Sequence, residues 1–161
     1  IDHSNWDTHD ANFAVLKTPL LPALDAALST FLTDLAERGL LSTTLVVVTG
    51  EFGRTPKISY AASTGAGDAS APAGTIQPGR DHWPRASSNI WFGGGIETGR
   101  FIGATDKRGE DAIERRCGPG DFLSTIYHHM GIEASTTLIN DFNGRPTPVV
   151  DHGRPIPELI G

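Results

Sequence analysis

TTLVVVTG, residues 43–50, is the stretch that decides the expected fold. It is a continuous run of leucine and β-branched side chains without polar alternation, which is typical of a strand buried on both faces of a parallel sheet. An amphipathic helix precedes it, because apolar residues recur three and four apart from Leu20 to Leu35, and Arg38 and Gly39 supply its end. Helix followed by buried strand is half of a βαβ unit. The sequence therefore predicts an α/β fold with a mostly parallel sheet flanked by helices.

Shorter elements are predicted farther along the chain. Residues 89–92 predict a short strand that ends at three glycines, and residues 119–132 predict a second helix. Residues 61–79 have almost no large apolar side chains, so they predict a flexible surface loop, either a binding lid or a disordered insertion. The tail from Leu138 is rich in proline and glycine and predicts an irregular wrap. All 161 residues fit a single domain, 1–161.

Composition narrows the function classes. The formal net charge of −6 provides no cationic footprint for nucleic acid. No apolar run reaches the roughly 20 residues that cross a bilayer, so no membrane span is expected. The single cysteine, Cys117, cannot form an intramolecular disulfide and indicates no compartment. The chain starts at Ile1 rather than Met, which favours the carboxyl-terminal part of a longer domain.

The segment NWDTHDANF, residues 5–13, is the first candidate site. Asp7 and His9 are two apart, so in an extended or turned backbone both side chains reach one cation. Imidazole suits zinc and other transition metals, while carboxylate also suits harder cations. The alternative is a helix-capping turn in which Asp7 or Asp10 accepts backbone N–H bonds. The sequence leaves both alternatives open.

Two further groups follow the predicted strand. Glu51 comes directly after it, at the sheet edge where ligands collect, and must be solvated, bound to a cation or paired with Arg54. Asp81 and His82 follow the loop, where they form either a binding group or a surface ion-pair cluster with Arg80.

Several segments together resemble one bacterial family. NWDTHDANF, TLVVVTGEFGRTPKI, GRDHWP, WFGGGI, GATDKRGE and GRPIPELIG occur in the order seen in the family called domain of unknown function 1501. That family looks related to sulfatases and the alkaline phosphatase superfamily. The resemblance implies that this chain is the carboxyl-terminal portion of an alkaline-phosphatase-like fold. It also implies export or a periplasmic location.

The resemblance implies roles for particular residues. Asp7 and His9 would take the first metal-binding role, Glu51 would stand for the Asp of the second motif, and His82 would be the last His. These four residues are the implied metal ligands, and we expect them to converge on one point. Phe52 stands where the superfamily has a His and cannot bind a metal, so one ligand of the superfamily's two-metal site is missing. The superfamily's nucleophile would lie upstream of Ile1, and Cys117 is in the wrong context to replace it.

The implied activity is hydrolysis of sulfate or phosphate esters, assisted by zinc, calcium, magnesium or manganese. The substrate would be a small-molecule or glycan ester. Arg54 would contact its nonbridging oxygens, and Asp81 or His82 would protonate the leaving group. The alternatives are a non-catalytic domain of the same fold that binds a sulfated or phosphorylated glycan, and a structural remnant that binds no metal.

Overall fold

The computed structural model describes residues 5–67 and 70–160. Its helices are α1 (Asn12–Val15), α2 (Leu21–Glu37) and α3 (Pro119–His129). The predicted helices therefore exist, although the second one ends at His129, before the expected bound. A π-helical turn, Leu16–Leu20, joins α1 to α2 and contains Pro19. Because proline lacks an N–H and collides with the preceding turn, a locally widened turn accommodates it.

The strands are short and pair in twos. Each of the four sheets that the structure describes has two strands: β1 with β4, β2 with β3, β5 with β6, and β7 with β8. The bounds are β1 Leu45–Val48, β2 Gly53–Arg54, β3 His82–Trp83, β4 Ile90–Gly93, β5 Ala104–Thr105, β6 Ala112–Glu114, β7 Leu138–Asn140 and β8 Pro146–Pro148. The tail that the composition predicts to be irregular thus contains a hairpin, β7–β8.

The prediction of a mostly parallel sheet flanked by helices is wrong. β1, the strand within TTLVVVTG, pairs antiparallel with β4, with Leu45 opposite Gly93 and Val48 opposite Ile90. Within the described residues no strand precedes α2, so β1 has no earlier strand with which to form a βαβ unit. A continuous apolar run indicates a covered strand but carries no information on the direction of its partner. The arrangement is therefore not alkaline-phosphatase-like.

The described chain divides into two compact units. The first comprises Ile1–Arg38, Thr49–Asn89 and Thr105–Asp111, apart from the residues that the structure does not describe. Its buried side chains are Thr8, Ala11, Asn12, Leu20, Leu35, Ser63 and Ala71. The second comprises Gly39–Val48, Ile90–Ala104 and Ala112–Gly161, and its buried side chains are Ser124, Thr125, Ala134, Val150, Ile156 and Leu159.

The predicted flexible loop, 61–79, belongs to the first unit. Two isolated bridges, between Ser59 and Gly79 and between Ala62 and Ile76, bring its two arms together. The buried Ser63 hydroxyl donates to the Ala71 carbonyl oxygen at 2.7 Å. Residues 68 and 69 of the predicted loop lie outside the described residues. Flexibility of this segment stays a prediction.

One helical stretch has the length and composition of a membrane span. It runs from Asn12 to Glu37 and is the single candidate among the described residues. Core helices of water-soluble proteins and signal sequences pass the same criterion, so one such helix is weak support for a membrane segment. No clear span is present in the described part of the chain.

Candidate metal centre

Strands β2 and β3 supply one side of the candidate centre. They pair antiparallel, with Gly53 opposite Trp83 and Arg54 opposite His82, so Arg54 and His82 lie side by side. Gly53 is required by the close approach of another backbone segment, since a Cβ there would lie 1.9 Å from the Ala86 carbonyl oxygen. The Trp83 indole N–H donates to the Glu110 carbonyl oxygen at 2.7 Å and anchors β3.

The segment before α1 supplies the other side. The Arg80 N–H donates to the His9 carbonyl oxygen at 3.0 Å, which joins the two segments through their backbones. Gly79 permits this approach, because a Cβ at Gly79 would lie 2.2 Å from the same oxygen. Thr8 is fully buried, and its hydroxyl oxygen accepts a hydrogen bond from the Asn12 amide at 2.7 Å. These contacts hold Asp7 and His9 opposite β3.

Three predicted ligands come together at this junction. Asp7, His9 and His82 each offer one atom that can bind a metal ion, and these ligand atoms all lie within 4.8 Å of one another. The Nε2 atoms of His9 and His82 lie 3.1 and 2.7 Å from the same oxygen of Asp7, Oδ1. The side chains of Asp7, His9 and His82 are 73%, 38% and 41% exposed, so the cluster is open to solvent. The hydrogen bond from His82 is the main cause that holds the pKa of Asp7 below its usual value.

Asp81 contacts the far side of the His9 ring. Its Oδ1 lies 2.9 Å from His9 Nδ1, so the imidazole lies between two carboxylates, Asp7 and Asp81. The Asp81 backbone is fixed by Thr55, whose N–H donates to the Asp81 carbonyl oxygen and whose hydroxyl accepts from the Asp81 N–H. The alternative of an ion pair with Arg80 is not observed, since the Arg80 guanidinium donates to the carbonyl oxygens of Thr55 and Pro56.

Arg54 holds the segment that carries Asp7. Its Nη1 donates to the Thr8 carbonyl oxygen at 2.6 Å, and its Nη2 donates to the Trp6 carbonyl oxygen at 3.1 Å and to Asp7 at 3.3 Å. The Arg54 side chain is only 23% exposed. A guanidinium engaged in this way places a fixed positive charge beside Asp7 and is not free to grip a substrate bidentately.

Glu51 is the predicted ligand that the structure does not bring to the cluster. Glu51 is exposed and does not belong to the group of possible metal ligands formed by Asp7, His9 and His82. Within the described residues it also has no hydrogen bond or ion pair with Arg54. The next residue, Phe52, lies at the site instead, with its ring centroid 4.2 Å from that of His82. Phe52 therefore contributes an apolar wall.

The capping alternative for residues 5–13 is also not observed. Ala11 occupies the N-cap position of α1, and no side chain caps this helix. Asp10 instead accepts the Ala71 N–H at 3.2 Å, and Asp7 faces the two histidines. Sequence reasoning missed the partnership between Asp81 and His9, because the two residues are far apart in the chain and no local pattern links them.

A family model matches almost the whole chain. The family is described as Protein of unknown function (DUF1501), and its model matches residues 1–160. No curated protein and no solved structure matches the chain.

Proposed function

The chain belongs to the family described as Protein of unknown function (DUF1501), and we propose from the geometry of its site that it is a metal-dependent hydrolase of sulfate or phosphate esters. The match confirms the family resemblance carried by the motifs, whereas a relation to sulfatases stays a prediction. The observation that carries the proposal is the convergence of Asp7, His9 and His82 within 4.8 Å.

The hydrogen-bonding capacity of His9 supports a cation at this point. A neutral imidazole has one N–H donor and one nitrogen that accepts, whereas an ionised carboxylate only accepts. The ring faces a carboxylate at each nitrogen, Asp81 at Nδ1 and Asp7 at Nε2, so a neutral imidazole donates to one of them and presents a lone pair to the other. In the tautomer that donates from Nδ1 to Asp81, the Nε2 lone pair lies 3.1 Å from the Asp7 oxygen, and a metal ion can bind both atoms. His82 Nε2 faces the same oxygen of Asp7 and offers a second nitrogen ligand for a metal ion.

The donor set indicates which metals fit. Two imidazole nitrogens and one carboxylate oxygen suit zinc or manganese better than calcium, which prefers oxygen ligands. Three protein ligands leave coordination positions for water and substrate, as in catalytic rather than structural sites. When bound, such an ion would polarise an ester oxygen and lower the pKa of a bound water.

The remaining side chains act through position and charge. Asp81 holds the His9 ring with Nε2 directed toward Asp7, in the manner of the carboxylates that orient metal-binding histidines. Phe52 packs on His82 and limits the movement of that ring. Arg54 fixes the backbone at Trp6 and Thr8, so its contribution is to hold Asp7. Exposure of the cluster gives an ester access from solvent.

The test is metal binding followed by turnover, both measured on the full chain. We expect calorimetric titration with zinc or manganese to give one tight site, and His82→Ala or His9→Ala to weaken it by at least about tenfold. His152→Ala is the matched control, since His152 is an exposed histidine next to an aspartate but outside the cluster. Stoichiometric binding that survives His82→Ala would contradict the proposed centre.

The turnover assay separates the two candidate functions. Arylsulfate and arylphosphate panels with the bound metal should show hydrolysis that disappears in His82→Ala. Metal binding without hydrolysis of any ester would instead favour the non-catalytic domain that binds a sulfated or phosphorylated glycan. The engagement of Arg54 by backbone carbonyls is the observation that favours this second candidate, because it removes the side chain expected to grip the reacting group.

A further inference from the structure

The second unit contains a cleft that the proposed hydrolase site does not use. Its volume is about 450 Å³, within the range of small-molecule sites. The cleft is lined by two chain segments and by the first turn of α3, and its principal residues are Arg115, Arg116, Cys117, Asp121, Arg154 and Ile156. Three arginines face one cleft in a chain whose net charge is −6.

The wall that carries Arg154 is held tightly against α3. A Cβ at Gly120 would lie 1.7 Å from the His152 carbonyl oxygen, and a Cβ at Gly153 would lie 2.2 Å from the Gly120 carbonyl carbon. The Arg154 N–H donates to Asp121 Oδ1 at 2.9 Å. Two residues later, the Ile156 N–H donates to the hydroxyl oxygen of the fully buried Thr125, also at 2.9 Å. The cleft is therefore preformed on this side.

The three arginines differ in how they are engaged. Arg115 donates to both carboxylate oxygens of Glu158, which neutralises its charge. Arg116 donates through Nε to the Ala112 carbonyl oxygen, which fixes its guanidinium while leaving both Nη atoms without a partner in the described residues. The Arg154 guanidinium has no hydrogen bond or ion pair within the described part of the chain. Two guanidinium groups thus remain for a ligand.

The acidic and thiol side chains of the cleft, Asp121 and Cys117, form no ion pair with Arg116 or Arg154 within the described residues. Both oxygens of Asp121 already accept backbone N–H groups, from Gly118 at 2.8 Å and from Arg154 at 2.9 Å. Asp121 therefore caps the first turn of α3, and the arginines rather than the helix end offer free donors. Desolvation raises the pKa of the Cys117 thiol more than Arg115 lowers it, so this side chain stays neutral near pH 7.

We propose that this cleft binds a tetrahedral oxyanion, a phosphate or sulfate group, between the guanidinium groups of Arg116 and Arg154. Guanidinium forks match the oxygen geometry of such groups and bind them bidentately. Pro155, Ile156 and Pro157 supply an apolar side, so an organic monoester fits better than the bare ion. This inference does not depend on the hydrolase proposal, because none of the metal-centre residues lines the cleft.

The experiment is calorimetric titration of the metal-free full chain with inorganic phosphate, inorganic sulfate and phenyl phosphate. We expect saturable binding with one site, and tighter binding of phenyl phosphate than of inorganic phosphate. The double variant Arg116→Gln, Arg154→Gln should lose at least about tenfold in affinity, since each charge-assisted hydrogen bond contributes substantially to binding. Arg154→Lys, which keeps the charge but loses the fork, should give an intermediate loss.

The control removes a positive charge elsewhere. Lys107→Gln leaves the cleft intact, so it should bind phenyl phosphate as the unaltered chain does. Circular dichroism checks that the arginine variants fold, which is expected because both side chains are exposed. The proposal is overturned if none of the three probes binds saturably, or if the double variant and Lys107→Gln bind phenyl phosphate equally well.

Discussion

Among the single residues of the candidate centre, Asp7 is the one that contacts both of its sides. One carboxylate oxygen faces His9, His82 and Arg54, which come from three separate chain segments. The sequence could predict Asp7 and His9 as a pair, because a spacing of two places both side chains on one side of an extended backbone. It could not place Glu51, since the direction of an exposed side chain after a strand depends on the turn that follows.

Asp81 gives the prediction that belongs to this scale. Asp81→Asn removes the carboxylate that holds the His9 ring at Nδ1, while the backbone bonds to Thr55 remain. We expect zinc or manganese affinity to fall by about 10- to 100-fold, as for other carboxylates behind metal-binding histidines. Titration calorimetry measures the change. Asp151→Asn, an exposed aspartate outside the cluster, is the control, and equal affinities in the two variants would refute the role of Asp81.

Short paired strands position the site at the scale of elements. β2 and β3 contain two residues each, yet their register sets Arg54 beside His82. The sequence indicated the importance of GEFGRTP and GRDHWP but not their pairing, because the hydrophobic pattern of two-residue strands is too short to read. The prediction that β1 belongs to a parallel sheet failed for a related reason. β1 pairs with β4, which joins residues 45–48 to residues 90–93, and no local periodicity encodes a contact between segments so far apart in the chain.

Gly53 tests the importance of this pairing. Gly53→Ala would place a methyl group 1.9 Å from the Ala86 carbonyl oxygen, so the backbone near β2 must shift. Overpacking of this kind typically costs about 1 to 3 kcal/mol. We expect a lower urea midpoint and weaker metal binding, because Arg54 follows directly in β2.

Gly50→Ala is the matched control for Gly53→Ala. Its added Cβ would make only an ordinary contact, 3.7 Å from the Phe52 carbonyl oxygen. Its stability should therefore stay within about 0.5 kcal/mol of the unaltered chain, as for most surface substitutions. Equal urea midpoints for Gly50→Ala and Gly53→Ala would show that the close approach at Gly53 does not constrain the fold.

The distribution of acidic groups is a property of the whole molecule. Several carboxyl groups have a pKa held below the usual value by backbone or arginine donors, among them Asp106, Asp121, Asp141 and Glu158. The net charge of −6 is visible in the sequence, but these individual partners are not. Asp141, for example, accepts from Arg145 within the β7–β8 hairpin, in the tail that the composition predicted to be irregular.

These groups predict loss of stability in acid. The hydrogen bonds from Arg115 lower the pKa of Glu158 from 4.5 to about 2 in the folded chain. A carboxyl group whose pKa is lower in the folded state stabilises the fold at any pH above its pKa in the unfolded state. This stabilisation is lost as the pH falls through the pKa of the group in the folded state. We therefore expect the melting temperature to fall as the pH is lowered from 4.5 to 2.

The variant Glu158→Gln tests this expectation. It should melt at a lower temperature than the unaltered chain at pH 7, and its melting temperature should fall less on acidification. A variant with an unchanged acid dependence would show that the pair of Arg115 and Glu158 does not contribute. Glu37→Gln, at an exposed glutamate with no ion pair in the described residues, is the control for removing an acidic charge.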